Sequence, residues 1–195
     1  MPDAAPAADG PALEAPGDAW PRPHDNCYWL LPGALLAGQH PGSADSVAQG
    51  KAMCSLLDAG IRQVVDLTEL GEPLPDYRAS LDSAAAARRQ QVQLHRLPIT
   101  DAAVPGPALM RRILDTVQAA LQAGQPLYLH CHGGIGRTGT VVGCWLVEQG
   151  YPPDQALALL ARKWQVMAKR DRAPVSPETD EQRNFILNWV PGAGR

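Results

Sequence analysis

Cys131 and Arg137 are the residues whose types and spacing bring chemistry to one point. Five residues separate them in His130-Cys131-His132-Gly133-Gly134-Ile135-Gly136-Arg137-Thr138-Gly139. Leu127 to His130 enters this stretch as a short apolar strand, and Thr138 to Gln149 leaves it as a helix. Such a junction turns backbone N–H groups and the positive helix end toward one spot. Gly133, Gly134 and Gly136 let the backbone curl around a small anion without Cβ clashes. One turn of loop then brings the sulfur and the guanidinium to the same anion. Arginine grips two phosphate oxygens with a planar fork, whereas lysine supplies charge without that geometry. The same positive field favours the thiolate, the form of cysteine that attacks. Cys131 therefore reads as a nucleophile toward phosphorus, in line with the leaving oxygen. His132, Gly133, Gly134, Ile135, Gly136 and Arg137 read as the phosphate cradle. The bland alternative is a glycine-rich turn around a buried cysteine.

His-Cys, five residues, Arg, then Thr matches the signature of the tyrosine and dual-specificity protein phosphatases. The Gly-Gly-x-Gly-Arg form resembles the cyclin-dependent-kinase-associated phosphatase branch. Cys-x5-Arg alone is unspecific, since rhodanese-like and arsenate-reducing proteins also carry it. His130, Gly134, Gly136 and Thr138-Gly139 make the match specific. Tyr28-Trp29, Pro32-Gly33 and Leu36-Ala37-Gly38 resemble the opening of bacterial members. Ile61 to Leu67 is similar to the family's central strand, and Ser176-Pro177-Glu178-Thr179 with Gln182, Phe185 and Trp189 to its C-terminal segment. The resemblance runs from Asn26 to Val190. It implies a protein tyrosine phosphatase-like fold and hydrolysis of phosphomonoesters through a cysteinyl-phosphate intermediate, with no cofactor and no metal.

The family keeps its general acid, an Asp, on a loop about thirty residues before the cysteine, and a positioned acid contributes roughly 10²–10⁴-fold. Asp101 lies 30 positions before Cys131, in Pro98-Ile99-Thr100-Asp101 after a strand. A turn-capping role is its alternative, and Asp115, within the next helix, is the rival carboxylate. By the same resemblance the Thr138 hydroxyl donates to the thiolate and helps sulfur leave. A helix-start hydroxyl bonding backbone is the plainer reading. His130 orients the loop, and His132 faces either substrate or solvent. Gln182 positions the hydrolytic water or is a surface residue. Asp66 caps its strand or reaches substrate. Arg170 and Arg172, beside Lys169, form a solvated charge run or contact acidic residues flanking the phosphate. A His130-Cys131-His132 zinc site fails, because neighbouring side chains point apart and no second ligand pair has finger spacing. Cys144 reads as core, and Cys54 as a buried helix cysteine or a resolving thiol.

The elements that must hold these residues follow from periodicity. Tyr28 to Leu31 and Leu35 to Ala37 are strands around the Pro32-Gly33 turn signal. Ser43 to Ala59 is a helix ended by Gly60, Ile61 to Leu67 a buried strand, Pro75 to Gln90 an Ala-rich helix. Val92, Leu94 and Leu97 mark a further strand. Leu109, Ile113, Val117 and Leu121 recur every four positions, the stripe of a helix closed by Gly124. Asp154 to Ala168 and Glu178 to Val190 complete the helices. Strands alternating with helices predict an α/β fold with a central, mostly parallel twisted sheet of about four to five strands flanked by helices.

The chain of 195 residues suffices for one domain with a substantial core. Met1 to His24 carries six prolines among Ala, Asp and Gly, so residues 1–25 read as a disordered arm. Residues 26–192 read as the catalytic domain. A net charge of −3 argues against nucleic acid as a partner. No apolar run is long enough for membrane insertion, and the acidic start lacks a secretory signal. Four cysteines in a chain this long imply no disulfide framework, and a reducing cytoplasm is the expected compartment. The cradle holds no lysine, and family members acting on phosphoinositides often carry lysines there. A phosphorylated protein is thus the expected substrate: phosphotyrosine, with phosphoserine and phosphothreonine open, since the Lys-Asn-Arg-Tyr motif of larger tyrosine-specific enzymes is missing. A phosphatase of inositol phosphates or another small phosphate is the second reading. A non-catalytic phosphoprotein-binding module is the third, opposed by the intact Cys131, Arg137, Thr138 and Asp101.

Overall fold

Residues 20–194 are described by a computed structural model. Two strands open it, β1 (Cys27–Leu31) and β2 (Leu35–Gly38), paired antiparallel across the turn at Gly33. Gly33 has a φ of 68°, which a side chain would resist. Then follow α1 (Ser46–Asp58), β3 (Gln63–Asp66), α2 (Arg78–Ala87), β4 (Gln93–Arg96), α3 (Pro107–Gln122), β5 (Leu127–His130), α4 (Gly136–Glu148), α5 (Pro153–Trp164) and α6 (Asp180–Leu187). The sheet order is β1-β2-β5-β3-β4, and every pairing except β1 with β2 is parallel.

The helices sandwich this sheet, and alternation along each strand decides which layer a side chain meets. Leu127, Leu129 and Val65 face the larger core, built with α3, α4, α5 and α6. Tyr128 and Val64 face the smaller core, built with α1 and α2. In α3, Met110, Ile113, Leu114 and Val117 are buried; of the expected stripe, Ile113 and Val117 lie in the core, while Leu109 and Leu121 are only partly buried against it. Asp45 caps α1 by accepting from the Ala48 amide at 2.7 Å.

One row of the sheet sets the site. Gly38, His130, Asp66 and Arg96 end β2, β5, β3 and β4 and lie side by side in register. Four loops therefore leave the sheet at one edge, the carboxyl edge at which open α/β sheets bind ligands. They start at Gln39, Cys131, Leu67 and Leu97.

Several boundaries differ from the sequence expectation: α1 and α2 each start three residues later than expected, at Ser46 and Arg78, and α6 ends at Leu187. The helix expected to Ala168 stops at Trp164, and a short 3₁₀ helix, Ala168–Asp171, follows. The last helix begins at Asp180 because Thr179 and Gln182 form a reciprocal capping box there. Of the expected arm, residues 1–19 lie outside the described residues. Residues 20–25 instead pack on the domain. Arg22 Nη1 donates to the carbonyls of Cys27 and Val166, both at 2.9 Å, and Trp29 Nε1 donates to Pro21 O at 3.0 Å.

Candidate active site

The loop from Cys131 to Ile135 bridges β5 and α4, and four of its carbonyls are bonded away from the loop centre. Cys131 O accepts from His130 Nδ1 at 3.2 Å, and His132 O from the His40 amide at 2.9 Å. Gly133 O accepts from Lys169 Nζ, and Ile135 O from Ser176 Oγ, both at 2.8 Å. Satisfied from outside, these carbonyls leave the amides free to face inward. The Gly134 amide donates to Cys131 Sγ at 3.3 Å. Gly134 has a φ of 73°, and a Cβ there would collide with the Gly38 carbonyl, so this position admits only glycine.

Arg137, in the first turn of α4, is 1% exposed. A buried charge must be paired. Its Nη1 donates to Glu72 Oε1 at 2.6 Å and Ile99 O at 3.1 Å, and its Nη2 to Glu72 Oε2 at 3.0 Å. Asp101 Oδ1 lies 2.8 Å from Nη2. The fork is bidentate on Glu72, which fixes the guanidinium plane. That hydrogen bond holds the Glu72 carboxyl below the usual carboxylate range. Arg137 Nε and Thr138 Oγ1 are buried and have no partner within the described residues. Two consecutive residues thus present unused donors next to the sulfur loop, a donor set fitted to an oxyanion.

His130 is fully buried between Tyr128, which stacks on it, and Tyr77, whose hydroxyl lies 2.7 Å from Nε2. Burial pushes its imidazole pKa down and that of Tyr77 up. A neutral ring therefore accepts from Tyr77 and donates from Nδ1 to Cys131 O. Asp66 Oδ1, 3.9 Å from Nδ1, makes no ion pair with a neutral ring. Burial opposes the Asp66 carboxylate, but the hydrogen bonds from Thr68 and the charge of Arg96 hold its pKa below the usual range. Arg96 Nη2 reaches Asp66 Oδ2 at 2.8 Å. Asp66 is wholly buried, which removes it from substrate contact.

A family model described as "Swiss Army Knife protein, DSP-PTPase phosphatase domain" matches residues 24–186. The chain belongs to this family. A zebrafish (Danio rerio) relative, "Dual specificity protein phosphatase CDC14AB", is 26% identical over 125 residues, covering 62% of this chain and 19% of its own length. Among solved structures, kinase associated phosphatase aligns with a TM-score of 0.62 at 23% identity, over 78% of this chain and 83% of its own. Tk-PTP in its active form also gives 0.62, at 22% identity, over 80% of this chain and 93% of its own. These likenesses match the five-stranded mixed sheet between helical layers.

Within this dual-specificity phosphatase domain, Asp101 pairs with Arg137, whose charge is felt by Cys131, while the Thr138 hydroxyl is buried and makes no bond among the described residues, the one expected to the Cys131 sulfur included. His132 is exposed at the mouth. Gln182 is fully buried, and its amide is spoken for. Oε1 accepts from the Glu178 and Thr179 amides, and Nε2 donates to Ala103 O at 3.2 Å. It ties α6 to the loop of Asp101. Asp115 pairs with Arg111 on the outside of α3. Cys144 is buried in the main core, and burial pushes its thiol pKa well up. Two residues are added that the sequence left without a role at the loop. Glu72 follows β3 by six positions, and a carboxylate in a loop leaving the carboxyl edge is its only sequence signal. Lys169 hid in the charge run. Among the described residues, no cluster of three His, Cys, Asp or Glu is arranged to hold a metal, and no helix is long and apolar enough to cross a membrane.

Proposed function

We propose that the chain hydrolyses phosphomonoesters on proteins through a phosphocysteine at Cys131. The observation carrying this reading is that Cys131 Sγ accepts from the Gly134 amide in a loop whose Cys131, His132, Gly133 and Ile135 carbonyls are taken up elsewhere, next to a helix start that carries two buried, unpartnered donors, Arg137 Nε and Thr138 Oγ1. His132, Gly133, Gly134, Ile135 and Gly136 line the phosphate with amides, and Arg137 completes the grip. The Cys131 thiolate attacks phosphorus, a P–S bond forms, and the P–O bond to the substrate breaks. Asp101, already drawn to Arg137 and with a side chain 68% exposed, turns to give its proton to the departing oxygen. Water then attacks phosphorus, Asp101 takes its proton, the P–S bond breaks, and the Thr138 hydroxyl steadies the returning thiolate. His130 keeps the loop oriented, and Gln182 keeps the Asp101 loop against α6.

Phosphotyrosine is the favoured substrate, with phosphoserine and phosphothreonine accepted if the pocket is shallow. The absence of lysine from His132 to Gly136 supports a protein phosphate over a multiply charged inositol head. A reducing, cytoplasmic setting suits a reaction that runs on a free thiol. A panel of phosphopeptides, inositol phosphates and an aryl phosphate tests the reading, with Cys131→Ser as control. Turnover of phosphopeptides by the parent and none by the variant, with phosphate binding retained, is expected. Equal turnover by both refutes the nucleophile. Turnover of inositol phosphates alone moves the substrate to that class. Binding without turnover by the parent makes the domain a reader of phosphate.

A further inference from the structure

Lys169 stands apart from the charge run in which it lies. Arg170 and Arg172 are exposed, but Lys169 is half-buried and faces the loop. Its Nζ lies 2.8 Å from Gly133 O and 2.7 Å from Gln39 Oε1. An ammonium group only donates, so both contacts run outward from the lysine. Gln39 is itself anchored. Its amide donates to Asn26 O at 3.1 Å, and its carbonyl accepts from Tyr128 OH. Both partners of Lys169 are neutral. The charges that act on it are Cys131, which favours the ammonium, and Arg172, which opposes it, while burial works against it most. A cation carried into a half-buried position beside neutral acceptors is stabilised there by an anion at the loop centre.

We propose that Lys169 is a positioning residue of the phosphate loop: its ammonium clamps the Gly133 carbonyl to Gln39, keeps the adjoining amides turned to the anion, and supplies a second positive charge beside Arg137. The proposal rests on the phosphatase reading for its purpose, but its geometry stands without turnover. Arg137 holds the anion from the helix side of the loop, and Lys169 fixes the loop from the side of the 3₁₀ turn. Arg137 and the hydroxyls of Tyr28 and Tyr128 also sense the charge of Cys131. Around the loop stand also His130 and His40 from the sheet edge, His132 at the mouth, and Glu72 and Asp101 beyond Arg137. Of these, Lys169 is the cation that touches the loop backbone through a side chain from outside it.

The test measures alkylation of Cys131 by iodoacetamide against pH, read by mass on the Cys131 peptide, with inorganic phosphate as protecting ligand. Parent, Lys169→Met, Lys169→Gln, Lys169→Arg and Arg170→Met are compared. Lys169→Met is expected to move the acid limb of the alkylation profile up by about one pH unit, a tenfold loss of reactivity below the limb, and to weaken phosphate protection. Lys169→Gln, which keeps a donor to Gly133 without charge, moves the limb by a similar amount and keeps the thermal midpoint of the parent. Lys169→Arg recovers most of the reactivity, and Arg170→Met behaves as the parent. A parental profile and parental protection in Lys169→Met overturn the proposal. So does a loss equal at every pH with a lowered thermal midpoint, which marks a mere brace. Hydrolysis of an aryl phosphate by the parent is followed in parallel. Its failure sinks the phosphatase reading and leaves the alkylation result standing by itself.

Discussion

Arg137 spends its two terminal nitrogens on the protein and keeps Nε unspent. Glu72 takes both ends of the fork, Asp101 shares one, and the Ile99 carbonyl takes the other. The result is a guanidinium whose plane is fixed before substrate arrives, which is what preorganised anion stabilisation requires. Glu72 is therefore expected to matter for both stability and rate. Glu72→Gln removes the charged acceptor from a buried cation but keeps a polar side chain of the same length. A loss of about 1–3 kcal/mol in urea unfolding is expected, together with a fall of about tenfold or more in kcat/KM for an aryl phosphate. Parental kinetics in this variant would mean that Asp101 and the carbonyls hold the guanidinium unaided.

At the scale of elements, α6 and the Asp101 loop form one unit through Gln182. The capping box that starts α6 uses Gln182 Oε1, and the same side chain reaches Ala103 O with Nε2. Gly136 lies against it, and a Cβ there would meet Gln182 Oε1 at 2.7 Å. Gln182→Ala removes a helix cap and the tether of the acid loop together. A destabilisation of about 1–2 kcal/mol is expected from the lost cap. Turnover of alkyl phosphates, which need the proton, should fall more than that of aryl phosphates with good leaving groups. An equal fall for both would place Gln182 outside control of the acid. The sequence made much of this scale legible. The loop from His130 to Gly139 is contiguous, so spacing alone exposed Cys131 and Arg137. Period-four and period-two patterns exposed α3 and the strands because each packs one face on one core. Glu72 stayed hidden because it reaches Arg137 only through the loop that follows β3, and Lys169 because it reaches Gly133 from the 3₁₀ turn beyond α5. The end of α5 was misread because the apolar pattern runs through Trp164 to Met167, both buried, although the backbone has already left the helix.

For the molecule as a whole, the sheet edge beneath the site holds neutral histidines, His130 fully buried and His24 and His40 partly so, and this sets the response to acid. Burial, then Lys169 and Arg22, pushes the His24 imidazole down to about 4, against an ordinary value of 6.5. Burial also pushes His130 and His40 down. In the folded chain these rings stay neutral where the unfolded chain has them protonated. The unfolded state therefore binds more protons between about pH 6.5 and pH 4, and stability falls as pH drops through that window. Each such ring contributes a slope of up to about 1.4 kcal/mol per pH unit. The depressed carboxylates Asp66, Glu72 and Glu148 act lower. Their contributions are intact above the ordinary carboxylate pKa and disappear only as pH falls through their lower folded values. Urea midpoints measured at intervals from pH 8 to pH 4.5 should be level above about 7 and decline steeply below 6.5. His24→Gln, which removes the ring that bonds Tyr128 OH at 3.1 Å, should flatten part of that decline. Midpoints that stay level down to pH 4.5 would show that these rings are already charged in the fold. The neutral hydrogen-bonded His130 beneath Cys131 would then have to be abandoned.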